Sequence, residues 1–241
     1  AEAVSWNVVI DDGYYYLQVA RNMARGYGAT FDRVNTTSGF QPLWAGLLVP
    51  IFWFTDDPGR GLSAMLCLAT ALGALSMVLL YIGLVRLAGY GAALLMAGMF
   101  AFNPYFLQIL QGGLETPALL VCLAGIVAFW AHQGEAVLAG HRRSCLKLGG
   151  IIGLTVLART DVALALLPFC LALAVWSPGP LRARITRAAW IALPALCLLV
   201  PFVVWAWATQ GSPVPVSGLV KRWVAATYTA NPRDWIATEQ W

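Results

Sequence analysis

Three stretches of this chain, Leu62–Leu87, Ala92–Leu110 and Ala188–Thr209, hold Arg86 as their only charged residue. A helix needs about 20 predominantly apolar residues to cross the hydrocarbon of a bilayer. Lipid offers no partner for backbone N–H and C=O groups, so runs of this kind commit a chain to membrane helices. Composition points the same way. Of 241 residues, 60% are hydrophobic and 11% charged, whereas soluble domains are about half apolar and about a quarter charged. A disordered chain and a nucleic-acid-binding tail are excluded, and a soluble globular domain is disfavoured. The net charge of +4 carries meaning only once the charges are placed on the two sides of a membrane.

Shorter apolar runs at Pro117–His132, Leu146–Ala158 and Val162–Trp176 bring the expected spans to about six. The last two are separated only by Arg159-Thr160-Asp161, so they form a pair meeting at a charged turn near one surface. Gln41–Phe54 is apolar but broken by Pro42 and Pro50, which predicts a re-entrant or interface-lying helix. The chain is thus expected to be all-α, a polytopic transmembrane helical bundle. Residues 1–60 form a first outer loop with amphipathic and re-entrant helices, 61–210 the membrane module, and 211–241 an outer loop after the last span. The five cysteines, Cys67, Cys122, Cys145, Cys170 and Cys197, show no framework or ligand spacing and read as small buried hydrophobes, with Cys145 in a basic loop.

Charge tests the topology. If alternate loops lie in the cytoplasm, those are Arg86–Gly91, Gln133–Lys147 and Ser177–Arg187. They carry Arg86, Arg142, Arg143, Lys147, Arg182, Arg184 and Arg187 against Glu135 as the only acid. This is the positive-inside pattern, and it requires that Gln41–Phe54 does not cross. Four polar clusters then share the outer face: Asp11 to Gln41, Gly112 to Thr116, Arg159 to Asp161, and Ser212 to Arg222.

Within the first cluster, Asp11-Asp12-Gly13-Tyr14-Tyr15-Tyr16 opens a helix that stops at Gly26, a C′ glycine. At helical spacing Asp12 shares a face with Tyr16, Val19 and Met23, and Asp11 with Tyr15, Gln18 and Asn22. One aspartate is accounted for as an N-cap. A second on the rim of an apolar bundle is surplus, and reads as a base or metal ligand. Trp44 reads as an interface-anchoring aromatic, and Gln41 at the mouth of its helix is a weaker headgroup contact. Glu115 either serves the dipole of the helix it precedes or acts in a site. Arg159 and Asp161 either pair with each other or offer a fork to phosphate. Lys221 and Arg222 read as a solvated basic loop or an anion contact. His132 and His141 fall on the cytoplasmic side and receive no catalytic role.

The Asp11-Asp12 pair with Tyr14-Tyr15-Tyr16 and Ala20-Arg21-Asn22, then Gly39-Phe40-Gln41-Pro42-Leu43-Trp44, Gly113-Leu114-Glu115-Thr116 and Leu157-Ala158-Arg159-Thr160-Asp161, together resemble the GT-C superfamily of integral-membrane glycosyltransferases. The nearest likeness is to bacterial arabinofuranosyl- and mannosyltransferase-like members. The resemblance implies a GT-C bundle in a bacterial cytoplasmic membrane, with its active site toward the periplasm or exterior. It implies a polyprenyl-phosphate sugar as donor and a glycan, lipid or protein as acceptor, with membrane lipid as surroundings and no nucleic acid. It maps the catalytic base to Asp11, with Asp12 as second acid, the two being candidate ligands for a divalent magnesium or manganese ion. Tyr15, Gln41, Glu115, Arg159, Asp161 and Lys221 become the substrate-binding set, Arg159 and Lys221 facing the donor phosphate. Some relatives carry a basic residue where this chain has Gln41. The family pattern also implies a helix before the aspartate pair and a further C-terminal region.

The implied reaction is an inverting hexosyl or pentosyl transfer, in which a carboxylate takes the acceptor proton and cations stabilise the leaving phosphate. The competing reading is a membrane transporter or lipid flippase, since such proteins also carry intramembrane charges and broken helices. Polar clusters on one face, and no half repeat, favour the enzyme.

Overall fold

The computed structural model describes residues 9–212, and these are all-helical, apart from one isolated β-bridge between Thr30 and Thr36. In chain order the helices are α1 (Asp11–Ala24), α2 (Pro42–Leu48), α3 (Ile51–Phe54), α4 (Pro58–Ala101), α5 (Pro104–Gln111), α6 (Thr116–Leu138), α7 (Arg142–Ala158), a 3-10 turn (Thr160–Val162), α8 (Ala163–Trp176) and α9 (Leu181–Gln210). Among the described residues α4, α6 and α9 are long and apolar enough to cross a membrane, while 42–54 and 160–176 are shorter apolar segments.

Local chemistry sets the boundaries. α1 ends in a Schellman motif, with Tyr27 N–H donating to Asn22 O at 3.0 Å and Gly26 N–H to Met23 O at 3.1 Å. Gly26 sits at φ 79°, as expected of a C′ residue. Pro42, Pro58 and Pro104 open α2, α4 and α5 where a missing N–H costs nothing. Asp57 and Asn103 cap α4 and α5 by accepting from Gly59 N–H and Phe106 N–H.

The long α4 is two helices joined at Gly89, whose φ of 86° and ψ of 169° interrupt it. Before that break α4 runs beside α6. A Cβ on Gly83 would lie 3.0 Å from the Ala128 backbone, and Arg86 Nε donates to Ala131 O at 2.8 Å. After it the chain returns, until Leu110 packs on Gly73. The expected span Ala92–Leu110 is therefore divided between the end of α4 and α5, with the cap at Asn103 between them. The expected Gln133–Lys147 loop is mostly helix, because α6 continues to Leu138 and α7 begins at Arg142. Cys145 accordingly lies buried in α7, and Cys67 and Cys197 are exposed rather than buried. α7 and α9 approach closely: Cβ atoms on Gly149 and Gly153 would collide with Ile191 and Ala195, the small-residue contact that membrane helices favour.

Two ends of the bundle differ in chemistry. At one, α1 to α3 pack over the starts of α4 and α6, and α9 reaches them through Phe202 and Trp205 against Phe40. Gln210 Nε2 donates there to Thr36 Oγ1 at 2.9 Å. At the other, Arg142 lies over the Trp190 ring and Arg187 donates to Pro178 O.

Candidate active site

The site begins with glycines. Where α1 starts, a Cβ on Gly13 would meet Gly112 O and Gly113 Cα, each at 3.1 Å. Only bare backbone allows the two segments this near. Ile10 N–H donates to Gly112 O at 3.2 Å, and Gly113 adopts φ 83°. Trp44 completes the lock by donating its indole N–H to Gly113 O at 3.0 Å. Its side chain is fully buried, which corrects the interface-anchor reading: Trp44 is core, holding α2 to the turn before α6.

That approach sets Glu115 against α1. Glu115 occupies the N-cap position of α6 but makes no capping bond with its side chain. Instead the carboxylate, 7% exposed, accepts from Tyr16 Oη at 3.1 Å through Oε2 and lies 3.7 Å from Arg159 Nη1 through Oε1. Tyr16 Oη in turn accepts from Gln41 N–H at 3.1 Å. Gln41 Oε1 accepts from Thr160 N–H at 3.1 Å. Arg159 Nε donates to both oxygens of Asp161, at 3.0 and 3.2 Å. Four segments separated in the chain, at Tyr16, Gln41, Glu115 and Arg159–Asp161, thus form one polar network. Burial raises the Tyr16 phenol well above its ordinary value of 10, and the Glu115 charge adds to this, so Tyr16 serves as a neutral donor.

The other face of α1 lines a cavity of about 470 Å³. Asp11 and Asp12 stand at its rim with Tyr14, Tyr15, Phe31 and Phe52 on its walls and Arg21 further along the helix. Neither aspartate caps α1; Ile10 holds the N-cap position, and both acids lie exposed in the first turn. Asp11 Oδ1 accepts from Asp12 N–H at 3.0 Å. The capping explanation for one of them therefore fails, while the dipole still favours both.

Tyr15 stacks on Phe31, with centroids 5.5 Å apart, and shares a hydrogen bond of 2.7 Å with Thr37 Oγ1. Burial raises its phenol, against a lowering by Thr37, and the Asp12 charge raises it further. The wall that Phe31 forms is pinned by buried Asn22, whose Nδ2 donates at 2.9 Å to Thr30 O and to Phe31 O.

The anticipated residues thus fall into two adjoining groups. Asp11, Asp12 and Tyr15 line the cavity. Gln41, Glu115, Arg159 and Asp161 form the second group with Tyr16, whose ring meets that of cavity-lining Tyr15 edge-on at 6.3 Å. Lys221 lies outside the described residues. Arg159 is engaged by two carboxylates, whereas Arg21 shares the cavity with Asp11 and Asp12 and forms no ion pair among the described residues. Helical spacing held the signal for Arg21, which lies on the stripe through Asp11, Tyr14 and Gln18. Tyr16 as the network's centre had no such signal, because its partners come from distant segments. A metal ion has a thin donor set here: among the described residues no three His, Cys, Asp or Glu side chains gather. Two adjacent carboxylates alone do not enclose a cation.

No family model, curated protein or solved structure matches this chain.

Proposed function

We propose that the chain is the membrane module of a GT-C-type glycosyltransferase, transferring a sugar from a polyprenyl phosphate to an acceptor hydroxyl at the polar end of the bundle. The observation that carries this reading is the cavity that Asp11 and Asp12 line together with four aromatic rings and Arg21, which forms no ion pair among the described residues. Aromatic faces suit the apolar faces of a sugar ring, and the carboxylates suit its hydroxyls. By the positive-inside rule the basic end faces the cytoplasm, which puts the cavity at the outer leaflet.

In the proposed reaction an Asp11 or Asp12 carboxylate accepts the proton of the acceptor hydroxyl as its oxygen bonds to the anomeric carbon. The bond from that carbon to the phosphate oxygen breaks on the opposite side, inverting the centre, and its electron pair leaves with the polyprenyl phosphate. Charge gathers on that phosphate, and Arg21 offers it guanidinium donors. No step is routed through a metal ion. Glu115, Arg159, Asp161 and Gln41 act as positioning residues that fix α1, and Lys221 remains a proposed phosphate contact.

The test is transfer of radiolabelled sugar from polyprenyl phosphate by the intact protein in nanodiscs. Loss of a general base lowers turnover by about 100- to 10,000-fold, so Asp11→Asn or Asp12→Asn is expected to fall in that range. Full transfer by both variants overturns the assignment. Lipid translocation without transfer, surviving both substitutions, favours a flippase instead.

A further inference from the structure

At the basic end, about 35 Å along α9 from Gln210 at a rise of about 1.5 Å per residue, Arg187 is 5% exposed and lines an apolar cavity of about 240 Å³. Its Nη2 donates to Pro178 O at 3.3 Å. Its Nε and Nη1 have no hydrogen-bond partner among the described residues, nor does the buried Ser177 hydroxyl beside Pro178. Among those residues no carboxylate pairs with Arg187. Unpaired buried charges are costly, and buried donors in native proteins nearly always meet an acceptor. The remaining cavity wall is apolar, with Ala174, Ala188, Ala192 and Ala195 leaving the space between α8 and α9. An open apolar groove of about 610 Å³ continues from it, sharing Ala174, Ala188 and Ala192. Arg184, at that groove, donates from Nε to Gly179 O and from Nη1 to Val175 O.

We propose that this cavity binds an anionic membrane lipid of the leaflet at the basic end. The headgroup oxyanion accepts from an unpartnered donor of Arg187, Nε or Nη1, and an acyl chain lies along the alanine groove. Each of these N–H groups offers a phosphate oxygen a charge-assisted hydrogen bond. The apolar lining selects an occupant with a hydrocarbon tail. Arg142, Arg143, Lys147 and Arg182 on neighbouring helix starts concentrate anionic lipid at this end.

The experiment is native mass spectrometry of the intact protein released from bilayers of equal phosphatidylglycerol and phosphatidylcholine with matched acyl chains. Charge-assisted hydrogen bonds contribute about 1.5–3 kcal/mol, so one retained phosphatidylglycerol is expected with about tenfold preference or more. Arg187→Gln and Ala192→Leu, the latter filling the cavity while keeping the cation, are each expected to bring the ratio near one. If Arg187→Gln fails to fold, Ala192→Leu decides alone. Unchanged preference in the folded variants overturns the proposal. Displacement of the lipid by inorganic phosphate also overturns it, in favour of a free-anion site.

Discussion

Removing the Tyr16 hydroxyl tests how the polar end is held together. Tyr16→Phe deletes the donor to Glu115 Oε2 at 3.1 Å and the acceptor of Gln41 N–H at 3.1 Å. Glu115 is 7% exposed, so water does not readily replace the lost bond. Hydrogen bonds to charged groups contribute about 1.5–3 kcal/mol, and an orphaned buried group costs about 1–3 kcal/mol. Tyr16→Phe is therefore expected to destabilise the protein by about 2–4 kcal/mol. A double-mutant cycle with Glu115→Ala isolates the pair, with an expected coupling of about 1.5–3 kcal/mol. The same cycle between Arg159→Ala and Glu115→Ala should give less than about 1 kcal/mol. There the approach is 3.7 Å, longer than a charge-assisted hydrogen bond, and Arg159 is half-exposed. Chemical unfolding in detergent, followed by tryptophan fluorescence, reads all of these values. A Tyr16–Glu115 coupling below about 0.5 kcal/mol, or one smaller than that of Arg159–Glu115, refutes the reasoning.

Further outcomes follow from the same geometry. Gly113→Ala places a Cβ about 3 Å from Gly13 Cα at a positive φ, and should separate Glu115 from Tyr16, measured as a lowered melting temperature together with lost coupling in the cycle above. Gly153→Val, wedged against Ala195, should loosen α7 from α9 and destabilise by about 1–3 kcal/mol or more in the same unfolding assay. Because the Tyr16 pKa is raised in the folded protein, its contribution to stability should be level below about pH 10 and fall as pH rises further, since only the unfolded chain then releases that proton. Tyr16→Phe should flatten this alkaline slope. Backbone N–H groups of Asn35 and Val34, with the Asn35 side chain, pull Asp32 down to about 2; its contribution should be present above about pH 4 and fade as pH falls toward 2, read as protease sensitivity of the loop after α1.

Much of the architecture was legible because lipid imposes a simple rule on sequence. Apolar length announced helices, three of which among the described residues are long and apolar enough to cross a membrane. The turn at Arg159-Thr160-Asp161 and the C′ role of Gly26 follow from residues close in sequence, and both were readable. Trp44 was misread because composition cannot distinguish an indole at a headgroup from one donating to Gly113 O inside a core. The break at Asn103 was signalled by Asn103-Pro104, an N-cap followed by an N1 proline, but reading Ala92–Leu110 as one apolar span passed over it. Within the site, the sequence named Glu115, Gln41 and Arg159 but not their order of contact. That order depends on Gly13 and Gly113 letting two backbones touch, a tertiary fact with no local pattern. Arg21 was within reach of helical periodicity, yet Arg159 drew attention because a charge interrupting an apolar run stands out more than one on an amphipathic helix.

The most direct test of the account is a structure of the intact protein in a nanodisc with a bound polyprenyl phosphate. The account predicts phosphate density within hydrogen-bond distance of Arg21, in the cavity rimmed by Asp11 and Asp12, with the prenyl chain leading into the bilayer. Phosphate bound elsewhere, with that cavity left empty, contradicts it.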